Sequence, residues 1–79
     1  MKDREFRWND YNRGKIAKHG VTQTEAEHVV RFAKRPYPKM HKKGTWIVQG
    51  RGNSNRMLQV VFTIDQYEDW FIIHAMPVR

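Results

Sequence analysis

Lysine and arginine are the residues of this chain whose number and spacing point most clearly to chemistry. Between His28 and Ile64, a range called the basic segment below, the chain has eight of them and no Asp or Glu. They are Arg31, Lys34, Arg35, Lys39, Lys42, Lys43, Arg51 and Arg56. This segment accounts for the net charge of +7, because the rest of the chain is nearly balanced. Clustered cations bind phosphate by displacing counterions, so the segment predicts contact with a polyanion, most generally a nucleic acid.

RNA can be cleaved beside such cations without a metal, because its own 2′-hydroxyl attacks the neighbouring phosphate. The protein then supplies a proton acceptor, cations for the charge that builds on the phosphorane, and a proton donor for the departing 5′-oxygen. Arg and Lys provide cations, while His, Lys or Glu transfer protons. A cluster at the rim of a sheet is sterically plausible, made of Arg35, Lys42, Lys43, Arg51, Arg56 and His74.

Other chemistries have less support in the sequence. The four histidines lack the i, i+4 spacing and the neighbouring carboxylates typical of a metal site. Ser54 is the single serine and stands in a predicted turn, and Gly50-Arg51-Gly52 leads into a strand rather than a helix. We therefore predict no metal and no cofactor.

Structural interpretations compete with the catalytic one. A Lys/Arg-rich loop is commonly a solvated surface, and His74, between Ile73 and Ala75, has the pattern of a core or sheet-edge histidine. Lys18-His19-Gly20 is typical of a helix end. The three tryptophans suit core or rim packing, although Trp46 or Tyr37 could stack on an exposed base.

Two helices are predicted after a short strand at Phe6-Arg7-Trp8. Asn9 or Asp10 caps the first, which runs to about Lys18 and ends at Gly20. Thr22-Gln23-Thr24-Glu25 forms a capping box for the second. The buried stripe of that helix is Ala26, Val29, Val30 and Ala33, and Pro36 ends it.

The second half of the chain predicts strands. Residues 34–44 form a polar loop, and residues 45–49 are extended. Met57 to Ile64 alternates between two faces, as a central strand does, and residues 70–75 are apolar on both faces. The order of strand, helix, helix and three antiparallel strands predicts an α+β domain spanning residues 1–79.

The chain has no cysteine and no apolar run long enough to span a membrane, and residues 1–7 are too charged for a secretory signal. We therefore expect a cytoplasmic protein with no membrane partner.

Several strings, taken in order, resemble the BrnT toxins, relatives of the RelE ribonucleases in type II toxin-antitoxin systems. The resemblance runs from about Phe6 to the last residue. It is carried by Trp8-Asn9, Asn12, Lys18-His19-Gly20-Val21, Glu25-Ala26-Glu27-His28-Val29-Val30, Arg35-Pro36-Tyr37-Pro38, Leu58-Gln59-Val60-Val61-Phe62 and Ile72-Ile73-His74-Ala75-Met76-Pro77.

The resemblance implies a RelE-like domain that cleaves RNA without a metal, inhibits translation and is held inactive by a cognate antitoxin. Operator DNA would be bound only through the antitoxin complex. Arg56 matches a basic position of the family, and His74-Ala75 lies where its last strand delivers functional residues. We predict Arg56, His74 and Lys43 as catalytic, and as nucleic-acid-binding Lys34, Arg35, Lys39, Lys42 and Arg51.

This chain departs from the family at two places. Relatives usually have Arg where Met76 stands, and losing one such contact to the phosphorane would cost about 2 to 4 kcal/mol. Relatives also continue past Pro77 with a charged helix. Without it, one face of the strands that contain Val60 and Ile72 would be uncovered and open to a partner, including a second copy. A non-catalytic module that binds nucleic acid or antitoxin is therefore the alternative.

Overall fold

The computed structural model describes residues 4–78, so residues 1–3 and 79 of the predicted domain lie outside the described residues. The elements in order are β1 (Phe6–Arg7), α1 (Asp10–Ala17), α2 (Gln23–Arg31), β2 (Lys39–Met40), β3 (Trp46–Arg51), a 3-10 turn (Asn53–Asn55), β4 (Met57–Ile64) and β5 (Trp70–Pro77). They build one sheet in the order β1-β5-β4-β3-β2. Only β1 and β5 are parallel. The predicted α+β arrangement, with helices on a mainly antiparallel sheet, is confirmed.

The caps of both helices follow local sequence. Asn9 and Asn12 exchange side-chain and main-chain hydrogen bonds at the start of α1, and buried Asn12 also donates to the carbonyl oxygen of Arg7. Thr22 accepts from the main-chain N–H of Glu25 at the start of α2. Gly20 has φ +70°, the left-handed conformation expected after α1.

The predicted loop from Lys34 to Gly44 is only partly a loop, because β2 lies inside it. Lys39 pairs with Ile47 and Met40 with Trp46, and the main-chain N–H of His41 donates to Thr45 O where the hairpin turns. Both β2 residues are exposed, so main-chain pairing rather than burial forms this strand. That is why the hydrophobic pattern does not reveal it.

Both helices pack on one face of the sheet. The core contains Ile16 of α1, the α2 stripe of Ala26, Val29 and Val30, and buried side chains of the three long strands, namely Val48, Leu58, Val60, Phe62, Ile72 and Ala75. A bulge in β5 opposite Val61 and Phe62 brings both Ile72 and Ala75 to this face, three residues apart.

The uncovered face expected on the strands that contain Val60 and Ile72 stays a prediction, since Val61 on the face away from the helices is only 9% exposed. Val60 and Ile72 are fully buried beneath the helices. Val61, between Val60 and Phe62, points to the opposite face and is not part of the core beneath the helices. Within residues 4–78, no helix is long and apolar enough to cross a membrane.

Candidate functional site

Arg56, predicted to be catalytic, is bound to a buried carboxylate. Its Nη2 donates to Glu25 Oε1 at 3.0 Å and to the carbonyl oxygen of Gly20 at 2.6 Å, and its Nε donates to Glu25 Oε2 at 3.3 Å. The hydrogen bond from Arg56 is the main reason that the pKa of Glu25 lies below its ordinary value, although burial opposes it. The hydrogen bonds of Arg56 therefore join the start of β4 to the start of α2.

The structure does not bring the three predicted catalytic residues together. Arg56 precedes β4, whereas Lys43 adjoins Gly44, whose carbonyl oxygen accepts from Thr63 Oγ1 near the other end of that strand. At the rise of an antiparallel strand, Arg56 and Lys43 are separated by more than about 20 Å. His74 lies opposite Val61, about 16 Å along β4 from Arg56. These residues cannot act on one phosphodiester as a cluster.

His74 instead lies beside groups from α1. The rings of His74 and His19 meet edge-on, with centroids 5.1 Å apart and an interplanar angle of 80°. The pKa of His74 is lowered from its ordinary value, first by burial and then by the positive charges of His19 and Lys15. Because α1 packs against β5, its last turn delivers Lys15 and, just beyond the helix, His19.

The side chain of Met76 contacts the His74 ring. Its thioether sulfur lies 3.1 Å from His74 Nε2. A thioether is only a weak acceptor, so this contact favours the tautomer with the proton on Nε2. Nδ1 then keeps its lone pair and is the nitrogen able to accept a proton.

His19 and Lys15 were not among the predicted site residues. The sequence gives His19 a complete structural explanation as part of a helix end, and nothing in its spacing links it to His74. The structure confirms the helix end, since the N–H groups of His19 and Gly20 bond to carbonyls of the last α1 turn. The same geometry holds the His19 ring against β5.

Four of the five predicted nucleic-acid-binding residues form two separate pairs, and Arg35 belongs to neither pair. Lys34 and Arg51 line one cavity of about 380 Å³ between α2 and the edge of β3. Lys39 and Lys42 lie in β2 and the turn that follows it, and Lys39 Nζ is 5.5 Å from the centroid of the Tyr37 ring. Arg35 is exposed in the segment before β2.

The tryptophans have packing roles, as the structural interpretation predicts. Trp8 Nε1 donates to Glu27 Oε2 at 2.7 Å, and the Trp70 ring lies 4.5 Å from Phe6. Trp46 and Tyr37 pack against the core as partly buried side chains.

Among residues 4–78, no three His, Asp or Glu side chains are grouped in a way that could hold a metal ion. Comparison with protein-family models, curated proteins and solved structures finds no match to this chain.

Proposed function

We propose that this protein is a metal-independent endoribonuclease whose reacting groups are His74, His19 and Lys15. The observation that carries the proposal is the edge-on contact of two imidazoles, with Lys15 close enough for its charge to help lower the pKa of His74. A lowered pKa keeps His74 neutral near pH 7, the form that a general base requires. A second imidazole and an ammonium group supply a proton donor and a fixed cation in the same place.

The reaction needs no external reactant. His74 Nδ1 takes the proton of a ribose 2′-hydroxyl, and the 2′-oxygen forms a bond to the adjacent phosphorus. The bond from phosphorus to the 5′-oxygen breaks, and His19 in its protonated form gives that oxygen a proton. The products are a 2′,3′-cyclic phosphate and a 5′-hydroxyl. Lys15 stabilises the negative charge that develops on the phosphorane oxygens.

The basic segment serves this reaction by holding RNA. Seven of its eight cations remain after Arg56, which is paired with Glu25. Lys34 and Arg51 are both exposed, so their charges are available to phosphate. Binding through such contacts weakens as salt concentration rises.

The resemblance to BrnT toxins supplies the biological setting of the proposal. In that setting the protein is a cytoplasmic toxin of a type II toxin-antitoxin system that cuts RNA and inhibits translation. Its partners are RNA and a cognate antitoxin, and operator DNA is reached only through the antitoxin complex. Self-association through the sheet face that carries Val61 is an additional expectation.

One observation favours the alternative of a non-catalytic module that binds nucleic acid or antitoxin. Met76 stands where relatives usually have Arg, and its sulfur contacts the His74 ring. A cation at that position would stabilise the phosphorane, and a thioether cannot. In this alternative the protein keeps its basic surface and binds nucleic acid or antitoxin, but it does not cleave RNA.

Cleavage of single-stranded RNA in EDTA, with detection of the 2′,3′-cyclic phosphate, tests the proposal. We expect His74→Gln and His19→Gln to abolish cleavage. His41→Gln is the matched control, because His41 is exposed beside the β2–β3 turn, away from α1. Cleavage that persists in His74→Gln would refute the site. Salt-sensitive RNA binding without cleavage by the unaltered chain would favour the alternative.

A further inference from the structure

The edge of β3 is open beside the cavity that Lys34 and Arg51 line. Among residues 4–78, β2 pairs only with Trp46 and Ile47, and no other strand lies beside the rest of β3 on that side. The N–H of Gly52 donates to the carbonyl oxygen of Arg56, and antiparallel bonding alternates with a period of two. The main-chain groups of Gln49 and Arg51 therefore point away from β4, toward this edge.

The cavity combines aromatic and cationic side chains. Phe32 is 63% exposed, and its ring centroid lies 4.8 Å from that of His28. Both rings line the cavity, and so do the exposed cations Lys34 and Arg51, while no carboxylate does. An exposed ring beside cations is the arrangement that binds a base by stacking and its phosphate by charge.

A row of side chains connects this cavity with His74. Gln49 is paired with Gln59 across β3 and β4, and Gln59 is paired with Met76 across β4 and β5. Gln49 Nε2 donates to Gln59 Oε1 at 3.1 Å, and Met76 contacts the His74 ring. The row is two strand spacings long, about 10 Å. A second shallow cavity of about 280 Å³ lies on it, against Gln59, Met76, Pro77 and Val78.

We propose that the cavity between α2 and β3 is a nucleotide subsite for single-stranded RNA. A base stacks on Phe32 beside His28, its phosphate contacts Lys34 and Arg51, and the strand continues along Gln49, Gln59 and Met76 toward His74. The direction toward His74 rests on the proposed function, whereas occupation of the cavity does not. An acidic peptide is the competing occupant, but a β-strand added to the edge would make no use of an exposed ring pair.

Binding of a short, fluorescently labelled 2′-O-methyl oligoribonucleotide tests the subsite apart from cleavage, because this probe lacks the attacking hydroxyl. We expect Phe32→Ala to weaken binding by about 5- to 150-fold, the range for loss of one stacked base. Phe32→Tyr should retain binding, since it keeps the ring. Tyr67→Ala is the matched control, because Tyr67 is 62% exposed and its ring lies under the guanidinium of Arg7 rather than in the cavity.

The salt dependence separates stacking from charge. Phe32→Ala should leave the slope of log K against log salt unchanged. Lys34→Ala or Arg51→Ala should each reduce the magnitude of that slope by about 1, because each removes one contact to phosphate. Equal weakening by Phe32→Ala and Tyr67→Ala would overturn the subsite. Displacement of the probe by polyglutamate as effectively as by unlabelled oligonucleotide would also overturn it. If His74→Gln binds the probe normally, loss of cleavage in that variant bears on the proposed function alone.

Discussion

The carboxylate of Glu25 is bound by the guanidinium of Arg56, with 3.0 Å between Oε1 and Nη2, while only 3% of the Glu25 side chain is exposed. The two residues are 31 positions apart and join the start of α2 to the start of β4. Each has another explanation in the sequence alone, Glu25 as part of a helix cap and Arg56 as a ligand of phosphate. Their pairing indicates that Arg56 stabilises the fold, and it removes one charge from the surface available to RNA.

Replacing Arg56 with Met should lower the melting temperature by several degrees, because it leaves a buried carboxylate without its cation. Arg51→Met is the matched control, since exposed Arg51 bonds only to the carbonyl oxygen of Asn55 among the described contacts. Thermal unfolding followed by circular dichroism makes the comparison. Equal melting temperatures for the two variants would contradict this role of Arg56.

The same pair predicts that stability depends on acid pH. The pKa of Glu25 in the folded protein lies below its ordinary value of 4.5, mainly because of the hydrogen bond from Arg56. Its contribution to the free energy of unfolding is therefore complete above pH 4.5 and is lost as pH falls through the folded pKa. Denaturant unfolding at a series of pH values should show this loss. Glu25→Gln should show a smaller decrease over the same range, and an identical decrease would count against the linkage.

Two glycine replacements should change stability in opposite directions. A Cβ on Gly52 would lie 2.5 Å from Glu25 Cγ and 2.6 Å from Leu58 Cδ1, so Gly52→Ala should lose about 1 to 3 kcal/mol through overpacking. Gly14 lies within α1, and apart from the backbone of that helix and the adjacent residues no atom lies within 4 Å of such a Cβ, so Gly14→Ala should gain up to about 1 kcal/mol. Equilibrium unfolding in urea measures both, and a stabilising Gly52→Ala would contradict the packing.

The rate of RNA cleavage should rise with pH on its acid side, with the midpoint of this rise below pH 6.5. His74 must be neutral to accept a proton, and its pKa is lowered from 6.5 by burial and then by His19 and Lys15. Lys15→Met removes one of these positive charges and should move the acid limb to higher pH. The pH profile of kcat/KM makes the measurement, with His41→Gln as the control. If the acid side of the profile lies at the same pH in Lys15→Met as in the unaltered chain, His74 is not the titrating base.

Met76→Arg should increase kcat for RNA cleavage by roughly 30- to 1,000-fold, because it adds a cation beside the His74 ring. Met40→Arg adds the same charge at a side chain that is 61% exposed in β2, and should improve binding without this gain in kcat. Single-turnover cleavage at saturating protein separates the two effects. Equal changes in both variants would mean that the added charge acts only by attracting RNA.

Local sequence predicted much of the fold because helix caps and side-chain periods act over a few residues. Thr22 begins α2, Gly20 follows α1 in the left-handed conformation, and Met57 to Ile64 forms a central strand with the expected bounds. β2 was missed because its two exposed residues are held by main-chain bonds, which leave no hydrophobic pattern.

The sequence by itself determined the α+β class, the helix ends and a basic segment without carboxylates, since these depend on residue type and short-range spacing. Only the tertiary structure decided which charged and titratable groups meet. It paired Arg56 with Glu25, which lies outside the basic segment, separated Arg56 from Lys43 and from His74 along β4, and placed His19 against His74. The physical reason is that charge and proton-transfer interactions require contact between side chains, and packing of α1 on β5 and of α2 on β3 and β4 sets those contacts.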